Sequence, residues 1–303
     1  ARLTQKNLAL FDKMAKKKTS GTTDGSSTTK TTLTTTSGFA IQAYKNGILE
    51  PGYSKPPENL EDIRKRLAKP RATASPPRGY RKALNRPFTG FPKDVGFNNG
   101  LSAPQPDFVE GPEMRTHRPF PVDEHVPGAA LYRDDPRSIT LPQIAGEWKG
   151  PTGDMREARM QSAYDGAAMV HARTQALAYM GKEDPPGHAE ITTFTTDGTN
   201  LNLYAHYATP AEGDENTLEY HQYPISSTNL TGTYQGHKDG RKNLRNAQDH
   251  AKTQSEQLRD QLKQHWKQNR NQLPPVAEGV AQPDVEPPPH ATDGYEDASP
   301  HVL

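Results

Sequence analysis

Residues 146–150 read Gly-Glu-Trp-Lys-Gly and close the segment "SITLPQIAGEWKG", residues 138–150. Side chains two apart on an extended strand share a face, so Glu147 and Lys149 project together while Trp148 turns to the other side. Ile144, Ala145 and Gly146 lead in and are apolar or small, which sets both charges where a strand leaves a core. Pro142 puts the start of this segment at a sheet edge or a bulge. Two readings are open at this point. One is a solvated strand edge with an ion pair worth about 0–1 kcal/mol; the other is half of a metal site acting on phosphodiesters.

The neighbouring segments bear on that choice. Downstream, Asp154 can cap a long helix reaching about Met180, whose alanines give high helical propensity and allow close approach to a sheet. "AEITTFTTDGTNLNLYAHYA" then reads as two strands joined through Asp197-Gly198, and "LEYHQYPIS" as a third. Upstream, "FPKDVGFNNGLSAPQPDFVEG" reads as a turn or short hairpin at Asn98-Asn99-Gly100, followed by an extended segment through Phe108 and Val109.

If the two extended segments are neighbours, Asp107 and Glu147 can converge on one hard cation. With the Trp148 backbone carbonyl they offer the oxygen ligands that Mg²⁺ prefers, leaving positions for water and a phosphate oxygen. Lys149 would then orient that water or stabilise charge building on the phosphate. Gln161, twelve positions after Lys149 in the first turns of the helix, can reach back to the same place.

Asp107 with Glu147-Trp148-Lys149, in the order strand, strand, helix, strand, resembles the PD-(D/E)XK nuclease superfamily, the restriction-endonuclease-like fold. "NNGLSAPQPDFVEG" and "GEWKG" with the alanine-rich helix, together with "LEDIRKRLAKPRATASP", are similar to a largely fungal family assigned to that superfamily. The resemblance covers roughly residues 40 to 265. It implies an α/β fold with an αβββαβ core, Mg²⁺ bound by Asp107 and Glu147, Lys149 catalytic and Gln161 auxiliary. Such folds place a helix bearing an acidic residue before the first core strand. Between Pro77 and the strand expected near Phe97 there is only "RGYRKALNRPFTGFPKDVG", so that helix is expected to be truncated or absent. Glu58 or Glu61 can substitute only if the earlier helix swings back onto the sheet.

Composition confines the compact part. Hydrophobic residues make up only 31% of the 303, and 28 prolines with a mean hydropathy of −0.95 leave much of the chain unable to offset its ordering entropy by burial. The expected organisation is a basic low-complexity arm over 1–37, a linker with a short basic helix over 38–79 and a core over 80–235. A long polar helix over 236–270 and a proline-rich acidic tail over 271–303 complete it. Asn59 is expected to cap the short helix from Leu60 to about Lys69. Lys16, Lys17 and Lys18 end a short amphipathic stretch that reads as a frayed basic helix or as a nuclear-import or phosphate-binding patch.

A formal net charge of +1 leaves nucleic-acid binding to local patches, of which the segment carrying Arg64, Lys65, Arg66, Lys69, Arg71, Arg78, Arg81 and Lys82 is the densest. The absence of cysteine excludes disulfides and thiolate metal sites and fits an intracellular protein. No apolar run approaches the length of a membrane span, so no membrane association is expected. His171, His188, His206, His221 and His237 are scattered without zinc-ligand spacing, and Ser138 and Ser162 lack a nucleophile-elbow context.

The function expected is therefore a metal-dependent nuclease-like protein that binds or hydrolyses nucleic-acid phosphodiesters. The alternative is a catalytically degenerate nuclease fold acting as an interaction scaffold. In that case the polar helix 242–268, with its narrow stripe of Leu244, Ala247, Ala251, Leu258, Leu262 and Trp266, would be the partner surface.

Overall fold

The computed structural model describes residues 36–269 apart from 74 and 151; the expectations for residues 1–35 and 270–303 lie outside the described residues. The strands are β1 (Ile48–Leu49), β2 (Arg81–Ala83), β3 (Phe108–Gly111), β4 (Ile144–Trp148), β5 (Ile191–Thr196), β6 (Asn200–Ala211) and β7 (Asp214–Asn229). Among the described residues they form one mixed sheet in the order β1-β7-β6-β5-β4-β3-β2. The helices are α1 (Thr36–Lys45), α2 (Leu60–Ala68), the four-residue α3 (Val122–His125), α4 (Met155–Tyr179) and α5 (Tyr234–Asn269).

The segment containing Glu147 lies inside that sheet, two strands in from the β2 edge. β4 pairs antiparallel with β3 and parallel with β5. The parallel pairing requires a crossover, and α4 supplies it. The Asp154 carboxylate caps α4 as expected, accepting from the Arg156 amide at 2.8 Å. β5, β6 and β7 are antiparallel neighbours, and the Asp197 side chain accepts from the Thr199 and Asn200 amides to close the first turn between them.

Alternation along β4 divides the core into two layers. Ala145 belongs to the apolar cluster under α4, with Ala163, Ala167, Met169 and Val170. Ile144 belongs to a second cluster with Phe194, Leu203, Ile63 of α2 and Ala247 and Ala251 of α5. Gly146 faces this second layer, where a Cβ would run into the Phe194 ring. Glycine stands there because an aromatic ring from the next strand fills the space.

Several expectations are corrected. No strand forms near Phe97: Asn98 accepts from the Val95 amide and donates to the Pro92 carbonyl, folding 92–98 into a turn that buries Phe97 in the core. The first strand of the β2-β3-β4 meander is instead Arg81–Ala83, inside the stretch read as too short. Asn59 makes no side-chain cap; its amide both donates to the Ala189 carbonyl and accepts from the Ala189 amide, tying the start of α2 to the residues before β5. Residues 38–79 do not merely link: β1 pairs with β7, and α2 packs against α5 and β7.

The polar helix runs close to its expected bounds and covers its own apolar stripe. Ala247, Ala251, Leu258 and Leu262 are all buried against the body, and the Trp266 ring packs near Phe120. A partner surface made from that stripe is excluded by this packing.

Candidate functional site

β3 and β4 bring Asp107 and Glu147 together. Phe108 pairs with Gly146, and one further step of the antiparallel register sets Asp107 opposite Glu147. The Trp148 amide donates to Asp107 Oδ2 at 2.9 Å, continuing the ladder through a side chain. In an extended strand the N–H and C=O of one residue point to the same side, so the Trp148 carbonyl faces the Asp107 side as well. Trp148 packs its ring into the layer under α5, opposite Glu147 and Lys149.

α4 closes over this strand end. Lys149 Nζ donates to Gln161 Oε1 at 2.7 Å and lies 3.5 Å from Glu157 Oε2. Glu157, Gln161 and Asp165 follow one another at four-residue spacing, so they form one stripe of α4 facing the end of β4. All four expected site residues, Asp107, Glu147, Lys149 and Gln161, thus meet in one place.

Asp165 was not expected from the sequence. It is 2% exposed and its charge acts on Glu147. The signal that would have found it is the continuation of the Glu157–Gln161 spacing by one more turn. Glu61 does not fill the role of an acid from an earlier helix: it is exposed on α2 and paired with Arg64 at 3.1 Å. The third carboxylate of the site comes from the crossover helix.

Glu147 is 1% exposed, and its Oε2 has no hydrogen-bond partner. Burial pushes its carboxyl well above the usual carboxylate range, the negative charges of Asp165 and Asp107 push the same way, and Lys149 opposes them. Burial and neighbouring like charge disfavour the ionised carboxylate, and a bound cation would favour it.

That orphaned oxygen, beside a second carboxylate and a carbonyl, is a hard-oxygen donor set of the type Mg²⁺ takes. Among the described residues no cluster of three or more His, Asp or Glu side chains is arranged to enclose an ion. The fit is therefore to a cation that keeps water and substrate oxygens in its shell, as Mg²⁺ does with one or two carboxylates.

Behind the carboxylates lies a buried polar ladder that the sequence did not suggest. Ser162 Oγ lies 2.6 Å from Thr193 Oγ1, Thr193 Oγ1 lies 2.7 Å from His206 Nε2, and Gln222 Nε2 donates to Ser162 Oγ. Burial pushes His206 down to about 3, so its ring is neutral at physiological pH. Gly166 lets that ring approach α4, since a Cβ there would overlap it.

The basic segment is largely engaged. Arg64, Lys65, Arg71, Arg81 and Lys82 pair with Glu61, Asp62, Asp249, Asp135 and Glu110 respectively.

A family described as "Domain of unknown function (DUF7924)" matches residues 58–262, more than half of the chain. The chain belongs to that family. The matched span of the DUF7924 family runs from the residue before Asn59 to Leu262 and so takes in the whole site. No curated protein and no solved structure matches the chain. Among the described residues no helix is long and apolar enough to cross a membrane.

Proposed function

We propose that this chain is a Mg²⁺-dependent phosphodiester hydrolase of the nuclease type, working on nucleic acid at Asp107, Glu147 and Lys149. The observation that carries the proposal is the convergence of a buried, unpartnered Glu147 oxygen with Asp107 across the β3–β4 ladder, with Lys149 on the same face. The element order gives further support: α2, β2, β3, β4, α4, β5, with β4 and β5 parallel, is the order expected of an αβββαβ nuclease core.

Asp107, Glu147 and the Trp148 carbonyl would hold the cation. When bound, it supplies positive charge to a phosphate oxygen and acidifies a bound water. Glu147 must give up its proton to enter that set. Lys149, mostly buried and held by Gln161, presents a fixed cation to the developing negative charge or to the attacking water. Gln161 positions Lys149, and Asp165 sets the charge around Glu147.

The test is cleavage of plasmid DNA and of a labelled RNA by the full chain in Mg²⁺ and in EDTA, alongside Glu147→Ala. Mg²⁺-dependent cleavage lost in the variant is the expected result. Equal cleavage by both proteins, or none by either, removes the proposal. In the second case, the nuclease fold retained as an interaction scaffold takes its place, a reading favoured by the near-complete burial of Glu147.

A further inference from the structure

A second charged site lies on the other face of the sheet, away from Glu147. The segment 68–73 after α2 and the first three turns of α5 enclose a groove of about 540 Å³. Its charged lining is Arg71, Lys238, Arg241, Lys242 and Arg245 against the single carboxylate of Asp239. A chain whose formal net charge is only +1 concentrates five cations here, and they come from two segments far apart in sequence.

The groove is built rather than a chance meeting of mobile side chains. Arg71 is fixed by Asp249 and Asn246 of α5 and by the Thr73 and Ser75 carbonyls. Asn246 also donates to the Leu67 and Lys69 carbonyls, locking the segment to the helix. Arg245 is half-buried beside Arg71 and Arg241, bonds to Gln248, and has a buried Nε with no hydrogen-bond partner. Asp249 pairs with Arg71, Asp239 pairs with Lys242 at 2.8 Å, and Glu110 and Asp249 act on Arg245, so Lys238 and Arg241 supply the surplus positive charge of the groove. At the groove's end the Tyr234 ring is 80% exposed, the most exposed of the large hydrophobic side chains described.

We infer that this groove binds the backbone of a single nucleic-acid strand, with a base stacked on Tyr234. Cations spaced along one helix face track successive phosphates, and the arginine forks match phosphate oxygens. An acidic peptide would use the cations but not the ring, and an anionic bilayer is flat where this surface is recessed. The binding does not rest on the proposed hydrolase activity.

The experiment is anisotropy of a fluorescein-labelled twelve-nucleotide oligo-dT, titrated with the full chain in EDTA over a range of salt. Lys238→Glu with Arg241→Glu is expected to weaken binding at least tenfold and to flatten the log–log salt slope by about 1.4, for two phosphates lost. Tyr234→Ala is expected to weaken binding about tenfold with the slope unchanged. Should the charge reversal unfold the chain, Lys238→Gln with Arg241→Gln replaces it, with the same directions expected. Wild-type affinity in these variants overturns the inference, and so does equal affinity for a polyglutamate of the same length. If no protein cleaves while the groove variants lose binding, the groove stands and the hydrolase proposal falls. Cleavage accompanied by unaltered binding in the groove variants leaves the hydrolase standing and overturns the groove.

Discussion

The Trp148 amide donates to Asp107 Oδ2 at 2.9 Å, so a side chain continues the β3–β4 ladder one step past the last paired residues. One Asp107 oxygen is thereby fixed at the strand end, opposite Glu147. Asp107→Asn keeps an acceptor for that amide and Asp107→Ala does not, while both remove the charge. Asp107→Ala is therefore expected to unfold about 1 kcal/mol more easily than Asp107→Asn in urea. Equal midpoints would show that the bond contributes nothing.

Glu147→Gln is expected to stabilise the chain in EDTA, and more so as pH rises. The raised carboxyl of Glu147 contributes stability that is fully present below the ordinary carboxylate range and is lost as pH rises through its folded value. The gap is expected to be wider at pH 8 than at pH 5. Mg²⁺ should raise the wild-type midpoint at pH 8 and leave that of Glu147→Gln unchanged. A gap that widens toward acid would contradict the sign.

Lys149→Ala is expected to lower kcat by about 10²–10³ with KM little changed, as for removal of a fixed donor to transition-state charge. Gln161→Ala should fall between that variant and the wild type, because Glu157 still holds the lysine. Gln161→Glu should retain more activity than Gln161→Ala, since it keeps an oxygen for Lys149 to donate to. Single-turnover cleavage of a labelled oligonucleotide separates the chemical step from binding.

Gly146→Ala should overpack the second layer. Its Cβ would meet the Phe194 ring, so a cost of about 1–3 kcal/mol is expected. Adding Phe194→Leu should recover part of that loss. Denaturant midpoints of the three proteins check it, and independent, additive effects would refute the contact.

Leu262→Ala tests the docking of α5. Leu262 is fully buried, so truncation should cost about 2–5 kcal/mol. A variant as stable as the wild type would return this stripe to the role of a partner surface.

The parts of the site that could be read in advance are those carried by local pattern. Strand alternation sets Glu147 and Lys149 on one face whatever the sheet around them. The Asp154 cap, the alanine-rich helix and the Asp197-Gly198 turn are short-range features, and each forms as its residues direct. Gln161 met Lys149 because helix and strand directions bring positions twelve apart back together.

What failed to be legible was long-range. Arg81–Ala83 has no alternation worth the name and becomes a strand because β3 offers it a ladder edge. Asn59 had every local reason to cap α2, yet Ala189 provides a two-bond partner 130 residues away. The pairing of β1 with β7, the burial of the α5 stripe and the arrival of Asp165 beside Glu147 depend on which surfaces meet.

By itself the sequence determined that Glu147 and Lys149 lie on one side of a strand, that an alanine-rich helix follows, and that a hairpin comes after it. Periodicity, capping and turn chemistry act over a few residues, and neighbouring residues suffice to specify them. Only the tertiary structure decided that Asp107 stands opposite Glu147, that a crossover helix brings the third carboxylate, and that two distant basic segments form one groove. These depend on strand register and packing, where contacts between residues far apart in sequence compete and the burial of whole faces selects among them.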